Sequence, residues 1–261
     1  MSGAKFEVID THCHLDFKNF NKDRDEVIQR ALKAGVTTMI NSGIDLKTNR
    51  KSLDLARKYD FIFATLGLNP NGLSETTDEE VEATLDQIRS HAEEIVGVGE
   101  AGLDYYRCPD QKGRDRQRDV FRKVVGLAEE LDLPQVIHAR LAEDEAFDMV
   151  KDLNKVVFHC YSGTAGTMRE AVDRGFYISL ATVVCRSAQH QVLARQVPLD
   201  LLLIETDSPD IAPEGSPAEI NEPANLPLVL AAVARFRGMD GESAAALTSG
   251  NARRLFEEGR S

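Results

Sequence analysis

The sequence has no closely spaced pair of cysteines and no long hydrophobic run. Its four cysteines (Cys13, Cys108, Cys160 and Cys185) are far apart and form no Cys-x-x-Cys pair. This argues against a disulfide framework and against a four-thiolate structural zinc site. No run approaches the roughly 18 apolar residues that span a bilayer, and residues 1–5 lack the apolar segment of a secretory signal. We therefore expect a cytoplasmic protein with no membrane insertion, and no obligate protein partner is evident.

Positive charge is also scarce. The chain has 43 Asp and Glu against 31 Lys and Arg, a formal net charge of −12. Proteins that follow duplex nucleic acid normally present a basic surface, and on average this one does not. If the substrate is a phosphodiester, the attraction must come from a local patch or from bound metal cations. An enzyme that processes strand ends is still compatible with this charge.

Short β-rich runs alternate with longer amphipathic segments along all 261 residues. The predicted strands cover residues 6–15, 37–44, 62–68, 96–104, 134–140, 156–161, 176–180 and 201–206. The predicted helices cover residues 23–34, 46–58, 78–94, 114–131, 142–153, 165–174, 187–196, 224–237 and 241–256. About eight such units predict an α/β fold, a (β/α)8 TIM-type barrel, as one domain over residues 1–261. An open doubly wound sheet is the alternative, although no Gly-x-Gly-x-x-Gly follows the first strand.

The first predicted strand ends with His12 and His14. Residues i and i+2 of a strand point to the same side, so both imidazoles project together while Cys13 faces away. Two imidazoles on one side of a strand end can hold a divalent metal. Alone, this His-x-His pattern is a weak signal, because it often occurs by chance.

Ligand-type residues stand at the ends of four other strand-like runs, namely Glu100, His138, His159 and Asp207. The carboxyl ends of all strands in a TIM barrel meet on one face, so these side chains are expected to join the histidines of the first strand there. The alternative is that the two histidines are satisfied core residues and the two carboxylates only cap helices. The joint pattern disfavours this alternative. The other histidines, His91 and His190, lie in helical sequence and are expected to face solvent.

Four imidazoles and two carboxylates exceed the ligands of one tetrahedral zinc, which favours a site for two divalent metal cations. The assignment is one ion on His12, His14 and Asp207, the other on His138 and His159, and Glu100 shared by both. Mixed nitrogen and oxygen ligands suit Mg²⁺, Mn²⁺ or Zn²⁺ equally. Such ions would generate hydroxide from bound water, and Asp207 could accept the water's proton as general base.

The motifs resemble the TatD family of metal-dependent deoxyribonucleases, within the amidohydrolase-like TIM barrels. The matching runs cover nearly the whole chain in order, at residues 9–16 (IDTHCHLD), 99–105 (GEAGLDY), 136–140 (VIHAR), 158–163 (FHCYSG), 205–209 (ETDSP), 221–223 (NEP) and 250–256 (GNARRLF). The resemblance implies a metal-dependent 3′-5′ exonuclease whose substrate is the ends of single-stranded DNA, with RNA as a second candidate. It also implies the same metal ligands.

Two departures from the family pattern bear on the substrate. Where the family usually has Gly-x-His-Pro-His after the third strand, this chain carries Asn69 and Asn71 in place of the histidines. An asparagine cannot serve as a proton donor in acid catalysis at neutral pH. Residues 215–220 also lack the basic residues of the family's Arg-Gly-x-Arg-like segment.

These departures favour a second hypothesis, an amidohydrolase-like enzyme that cleaves a small C–N, ester or phosphotriester substrate at the same metals. Against it, Glu100 occupies the bridging position at which many such barrels carry a carbamylated lysine. A third hypothesis is a metal-binding scaffold without activity, which the complete ligand set disfavours.

Arg140, Tyr105 and Arg107 are the candidate substrate-binding residues. Arg140 lies two residues beyond His138 and could clamp a phosphate, or it could pair with a neighbouring acid. Tyr105, Tyr106 and Arg107 follow the fourth strand and could stack on a terminal base and contact a phosphate, or form a packed loop.

Four further residues lie beside the predicted ligands. Asp10 and Glu205 each stand two residues before a ligand, and we expect them to hydrogen-bond ligating imidazoles. Cys13 and Cys160 are expected to be ordinary buried thiols that point away from the metal and into the helices.

Overall fold

Eight strands form one parallel sheet in which neighbours in sequence lie side by side. In this computed structural model, which describes residues 7–214 and 220–257, they are Val8–Cys13 (β1), Val36–Ser42 (β2), Ile62–Leu68 (β3), Gly97–Asp104 (β4), Gln135–Arg140 (β5), Val156–Phe158 (β6), Tyr177–Leu180 (β7) and Leu202–Ile204 (β8). The segment after β8 returns to β1, where the N–H of Asp207 donates to the carbonyl of His12 at 3.0 Å and the N–H of His14 donates to that of Ser208 at 2.7 Å. The fold is a (β/α)8 TIM barrel, as predicted.

Within the described ranges the strands are surrounded by helices Arg24–Ala34 (α1), Leu46–Lys58 (α2), Asp78–Ser90 (α3), Gln111–Leu131 (α4), Glu143–Val150 (α5), Ala165–Asp173 (α6), Ala188–Gln196 (α7), Leu226–Arg237 (α8) and Gly241–Phe256 (α9). Local signals set several starts. Asp45 and Thr77, for example, open α2 and α3 with capping boxes that satisfy otherwise unpaired backbone N–H groups. None of these helices is both long and apolar enough to cross a bilayer.

The barrel interior is apolar at its amino end and polar at its carboxyl end. At the amino end, a small buried cluster contains Ile9, Ile40, Val96, Leu203 and Phe256. Phe256 belongs to α9, which closes this end of the barrel. The larger core lies between the sheet and the helices. The polar side chains therefore lie at the open carboxyl end of the barrel.

Most element boundaries agree with the sequence prediction to within a few residues. β6 and β8 are shorter than predicted, with three residues each. β6 ends at Phe158, directly before the predicted ligand His159, and β8 ends at Ile204, before the segment that carries Asp207. The predicted helix 78–94 ends at Ser90 and is followed by a short 3-10 turn, Ala92–Glu94. The prediction of one domain over residues 1–261 stays a prediction, and residues 1–6, 215–219 and 258–261 lie outside the described residues.

Candidate metal centre

Six side chains converge at the carboxyl end of the barrel, and all of them except His12 line a cavity of about 510 Å³. Their ligand atoms form three overlapping groups, each with all its atoms within 4.8 Å of one another: His12, His14 and Glu100; His12, His159 and Asp207; and Glu100, His138 and His159. The structure thus brings together all six residues for which the sequence predicted metal binding.

Strand alternation in β1 positions the first two imidazoles. His12 and His14 point into the barrel, with their Nε2 atoms 3.2 Å apart. The intervening Cys13 is fully buried on the other side, where its thiol lies 3.5 Å from the carbonyl oxygen of Ile40. Cys13 is the ordinary buried thiol that the sequence predicts.

Glu100 lies in the middle of β4 and not at a strand end, which corrects the sequence prediction. The pairing of β4 is irregular on both sides of this residue, with register shifts against β3 and β5. Gly99 and Gly102 flank it with φ of 134° and 151°, and a Cβ at Gly102 would lie 2.0 Å from the carbonyl oxygen of His138. Such an irregularity can re-aim a side chain, here into the barrel.

The two oxygens of Glu100 face different pairs of histidines. Oε2 lies 3.1 Å from Nε2 of His12 and 3.3 Å from Nε2 of His14. Oε1 lies 2.8 Å from Nδ1 of His138 and 3.3 Å from Nε2 of His159. One carboxylate therefore connects two ligand groups.

Each of these imidazoles has a partner on the nitrogen that faces away from Glu100. The partners are the hydroxyl of Ser42 for His12 (3.1 Å), the carbonyl of Ser42 for His14 (2.8 Å), Asp104 for His138 (3.1 Å) and Glu205 for His159 (3.3 Å). Carbonyl and carboxylate oxygens only accept hydrogen bonds. The outer nitrogens of His14, His138 and His159 therefore carry the proton, and in the neutral rings the inner nitrogens present lone pairs.

Those lone pairs point at a carboxylate, so acceptors face acceptors across about 3 Å. This arrangement is favourable only when a proton or a metal cation lies between them. Second-nitrogen hydrogen bonds of this kind are typical of metal-binding histidines. The donor set therefore fits a divalent cation.

Protons on these side chains can also provide positive charge between the facing acceptors. Burial opposes the charged form of His14, but the hydrogen bond and charge of Glu100 outweigh it and raise the pKa of His14 to about 9. Burial raises the pKa of Asp207 to about 7, although the charges of His159 and His14 act in the opposite direction. Despite its burial, the imidazoles hold the pKa of Glu100 well below its ordinary value.

Of the described residues at the mouth, four that are not glycine adopt left-handed backbone conformations: Leu141 after β5 (φ 56°), Cys160 after β6 (φ 43°), Asp207 after β8 (φ 55°) and Ile211 in the cavity lining (φ 52°). Such residues cost about 1–3 kcal/mol each and cluster at functional sites. At Cys160 this conformation overturns a prediction. Strand alternation stops at Phe158, and the Cys160 side chain lines the cavity beside Asp207 instead of entering the helical layer.

The sequence predicted that Asp10 and Glu205 hydrogen-bond ligating imidazoles, and the structure confirms this for one of the two. Glu205 contacts His159 as predicted. Among the residues that the structure describes, Asp10 has no hydrogen bond or ion pair to an imidazole, which corrects the prediction. It accepts from the N–H of His12 at 3.3 Å and from the N–H and hydroxyl of Thr206 at 2.9 and 2.6 Å, and so joins β1 to the segment after β8.

Of the predicted substrate-binding residues, Arg140 and Arg107 line the cavity. The guanidinium of Arg140 lies 3.9 Å from the ring centroid of Tyr106, and no ion pair of Arg140 is found in residues 7–214 and 220–257. Arg186, which the sequence reasoning missed, lines the cavity as well.

Tyr105 lies outside the cavity lining. Its hydroxyl donates to Glu145 at 2.7 Å and accepts from Arg118 at 2.8 Å. Its ring lies 4.5 Å from the guanidinium of Arg114. The geometry favours the packed-loop interpretation of this residue.

The two asparagines that depart from the family pattern both line the cavity. Nδ2 of Asn69 donates to Oε1 of Glu100 at 2.5 Å. The other departure falls on residues 215–219, which lie outside the described residues, and on Ile220. His190 is buried, with 6% of its surface exposed, and His91 is half-buried, so the prediction that both face solvent is wrong.

Comparisons with known proteins agree with this geometry. A sequence model of the family described as TatD-related DNase matches residues 9–257. A 3′-5′ ssDNA/RNA exonuclease TatD from Salmonella typhimurium is 34% identical over 263 residues, covering 96% of this chain and 99% of that protein. An uncharacterised metal-dependent hydrolase from Methanocaldococcus jannaschii is 39% identical over 235 residues, 90% of each chain. The crystal structure of the TatD homologue YjjV from Escherichia coli K12 has a TM-score of 0.89 at 30% identity, covering 95% of this chain and 97% of that one.

Proposed function

The chain belongs to the family of TatD-related DNases, and from this premise we propose that it is a divalent-metal-dependent nuclease that releases nucleotides from the 3′ ends of single-stranded DNA or RNA. The observation that carries the proposal is the position of Glu100, whose two oxygens face two separate pairs of histidines. That arrangement supports a centre for two cations.

In this proposal, one cation is held by His12, His14 and Asp207, the other by His138 and His159, and Glu100 is shared. Oδ1 of Asp207 lies 3.7 Å from Nε2 of His14 and 3.9 Å from Nε2 of His12. Its carboxylate also falls within the group of His12 and His159, so Asp207 stands between the two halves of the centre. The nitrogen and oxygen ligands suit Mg²⁺, Mn²⁺ or Zn²⁺.

Bound divalent cations supply hydroxide from water at neutral pH and stabilise the charge that develops on the attacked phosphate. Asp207 would hold one cation and accept the proton of the attacking water as general base. Glu100 fixes the positions of the two histidine pairs relative to each other, because one of its oxygens faces each pair. Arg107 and Arg140 hold phosphate oxygens at the mouth. Tyr105 has no part in this proposal, because its hydroxyl and ring are already engaged.

A second candidate function keeps the same centre but acts on a small C–N, ester or phosphotriester substrate. The observation that favours it is the pair of asparagines in the cavity, Asn69 and Asn71. Neither amide can protonate a leaving group at neutral pH. Asn69 also donates to Glu100, so part of its hydrogen-bonding capacity is not available to a substrate.

The test offers the protein 3′-labelled single-stranded DNA, 3′-labelled RNA and a panel of small amides, esters and phosphotriesters, each with Mg²⁺, Mn²⁺ or Zn²⁺. The proposal expects release of labelled mononucleotides that is lost in Asp207→Asn and retained in Asp148→Asn, a matched change on the exposed side of α5. Turnover of small molecules without nuclease activity would establish the second candidate instead. Inertness toward all substrates with metal still bound would contradict both.

A further inference from the structure

Ser162 and His190 form a pair at the wall of the cavity that the proposed chemistry does not use. Oγ of Ser162, in the cavity lining, lies 3.1 Å from Nε2 of His190. His190 belongs to α7 and is buried, and its Nδ1 lies 2.8 Å from Oγ of Ser187, the residue that caps this helix. A buried histidine thus connects the helix to a hydroxyl at the cavity surface.

The hydrogen-bond directions leave Ser162 with a proton to donate. Burial and the nearby charge of Arg186 lower the pKa of His190, which keeps the ring neutral at pH 7. The Ser162 hydroxyl has one proton and donates it to the carbonyl of Cys160, so Nε2–H of His190 donates to Ser162 and the Ser187 hydroxyl donates to Nδ1. A ligand in the cavity can accept the Ser162 proton in place of that carbonyl, which lies 3.1 Å away.

The segment that carries Ser162 is held in place by α7. The side-chain amide of Gln189 donates to the carbonyl of Ser162 at 2.8 Å and to that of Gly163 at 3.1 Å. Together with His190, this attaches the loop after β6 at three points. The hydroxyl is therefore held in position before any ligand binds, which lowers the entropy cost of binding.

Arg186 lines the cavity as well, and it is close enough to His190 for its charge to lower the pKa of that ring. It donates one N–H to the carbonyl of Ala212 at 2.8 Å, and no ion pair of its guanidinium is found in the part of the chain that the structure describes. The carboxylate of Asp210 also lines this side, so an anion there needs the charge of Arg186. A guanidinium beside a hydroxyl donor suits phosphate oxygens.

The charges along the cavity wall indicate how a strand would lie in it. Three arginines line the wall: Arg107 follows β4, Arg140 is the last residue of β5 and Arg186 follows β7. Apart from the candidate metal ligand His14, the wall that follows β1, β2 and β3 is uncharged, with Phe17, Ile44, Asn69 and Asn71. An uncharged terminal base and sugar fit the neutral wall, and the phosphates of the retained strand fit the arginine side.

We propose that Ser162, positioned by His190, and Arg186 form a subsite for the phosphate that follows the scissile one on its 5′ side. The inference rests on the proposed nuclease function and adds the binding direction of the strand. Ser162 and Arg186 contact this phosphate, and His190 acts through Ser162.

The test compares two thymidine dinucleotides that differ only in a 5′-phosphate. The wild-type protein is expected to hydrolyse the 5′-phosphorylated form with a kcat/KM at least about tenfold higher, the size typical of hydrogen bonds to a charged group. Ser162→Ala and Arg186→Gln should remove this preference. His190→Phe should reduce it, Ser162→Thr should retain it, and Arg122→Gln, on the exposed face of α4, is the matched control.

Binding provides a readout that does not depend on cleavage. Calorimetric titration of both dinucleotides, each with a non-hydrolysable phosphonate linkage at the scissile position, into the metal-loaded wild-type protein should show the same preference for the 5′-phosphate, and its loss in Ser162→Ala. Equal binding of the two dinucleotides, or a preference that survives in Ser162→Ala and Arg186→Gln, would overturn the subsite. If the preference is present but the wild-type protein cleaves neither dinucleotide, the subsite stands and the proposed nuclease function fails.

Discussion

Nδ2 of Asn69 donates a hydrogen bond of 2.5 Å to Oε1 of Glu100, the oxygen that also faces His138 and His159. Oδ1 of the same amide accepts from the N–H of Asn71 at 2.8 Å, which fixes the orientation of the Asn69 side chain. The residue that replaces a family histidine therefore holds the carboxylate at the centre of the candidate metal site.

Asn69→Ala should weaken metal binding, because it removes a donor that orients a shared ligand. Loss of such a supporting hydrogen bond typically lowers metal affinity by about 10-fold to 100-fold. Competition with a chelator measures the change. Asn71→Ala is the matched control, because Asn71 joins this network through its backbone N–H. Equal affinities of the two variants would show that the amide of Asn69 does not support Glu100.

Metal affinity should rise with pH. In the metal-free protein the pKa of His14 is raised to about 9, because the hydrogen bond and charge of Glu100 outweigh the effect of burial. A metal must displace this proton, so the apparent affinity increases about tenfold per pH unit or more from near pH 7 and levels off above about pH 9. Calorimetry in buffers of different ionisation enthalpy counts the protons released. Binding that releases no proton across this range would contradict the assignment of His14 as a ligand.

Gly102→Ala should destabilise the fold strongly. A Cβ there would lie 2.0 Å from the carbonyl oxygen of His138, at a φ of 151° that side chains rarely adopt. We expect a loss of about 3 kcal/mol in the free energy of unfolding, measured by urea denaturation of the metal-free protein. Gly126→Ala is the control, since its Cβ would meet nothing within 4 Å in α4, and it should raise stability by up to about 1 kcal/mol. Similar stabilities for the two variants would mean that β4 and β5 approach less closely.

Arg140→Gln should raise KM for single-stranded DNA with little change in kcat. Arg140 lines the cavity mouth, where it stacks on Tyr106 without an ion pair in the described ranges. Loss of one phosphate contact should also reduce the slope of log KM against log salt concentration by about 0.7. Arg122→Gln is the control for loss of one positive charge. An unchanged salt slope in Arg140→Gln would exclude a phosphate contact by this residue.

Much of the fold could be predicted from the sequence because each level of pattern agrees with the others. Apolar runs of strand length alternate with helices that have clear caps, as at Asp45 and Thr77. The period of two along β1 correctly places His12 and His14 inside the barrel and Cys13 outside. These predictions depend on local geometry that a regular strand guarantees.

Predictions that assumed regular strand geometry where the strand is irregular or has ended were wrong or incomplete. Glu100 points inward from the middle of β4 because of an irregular register, which no two-residue period reveals. Cys160 lines the cavity because its φ is left-handed just beyond β6. His190 looked solvent-facing on a polar helix, yet Ser162, 28 residues away, covers it. The sequence does not predict Ser42 as a partner of two imidazoles, because nothing in the sequence of β1 or β2 indicates this contact.

Anomalous diffraction from crystals grown with Mn²⁺ or Zn²⁺ tests the central claim most directly. The account predicts two peaks at the carboxyl end of the barrel, one beside His12 and His14 and the other beside His138 and His159, with a carboxylate oxygen of Glu100 on each. A single peak, or peaks away from Glu100, would contradict a centre in which this carboxylate joins two cations.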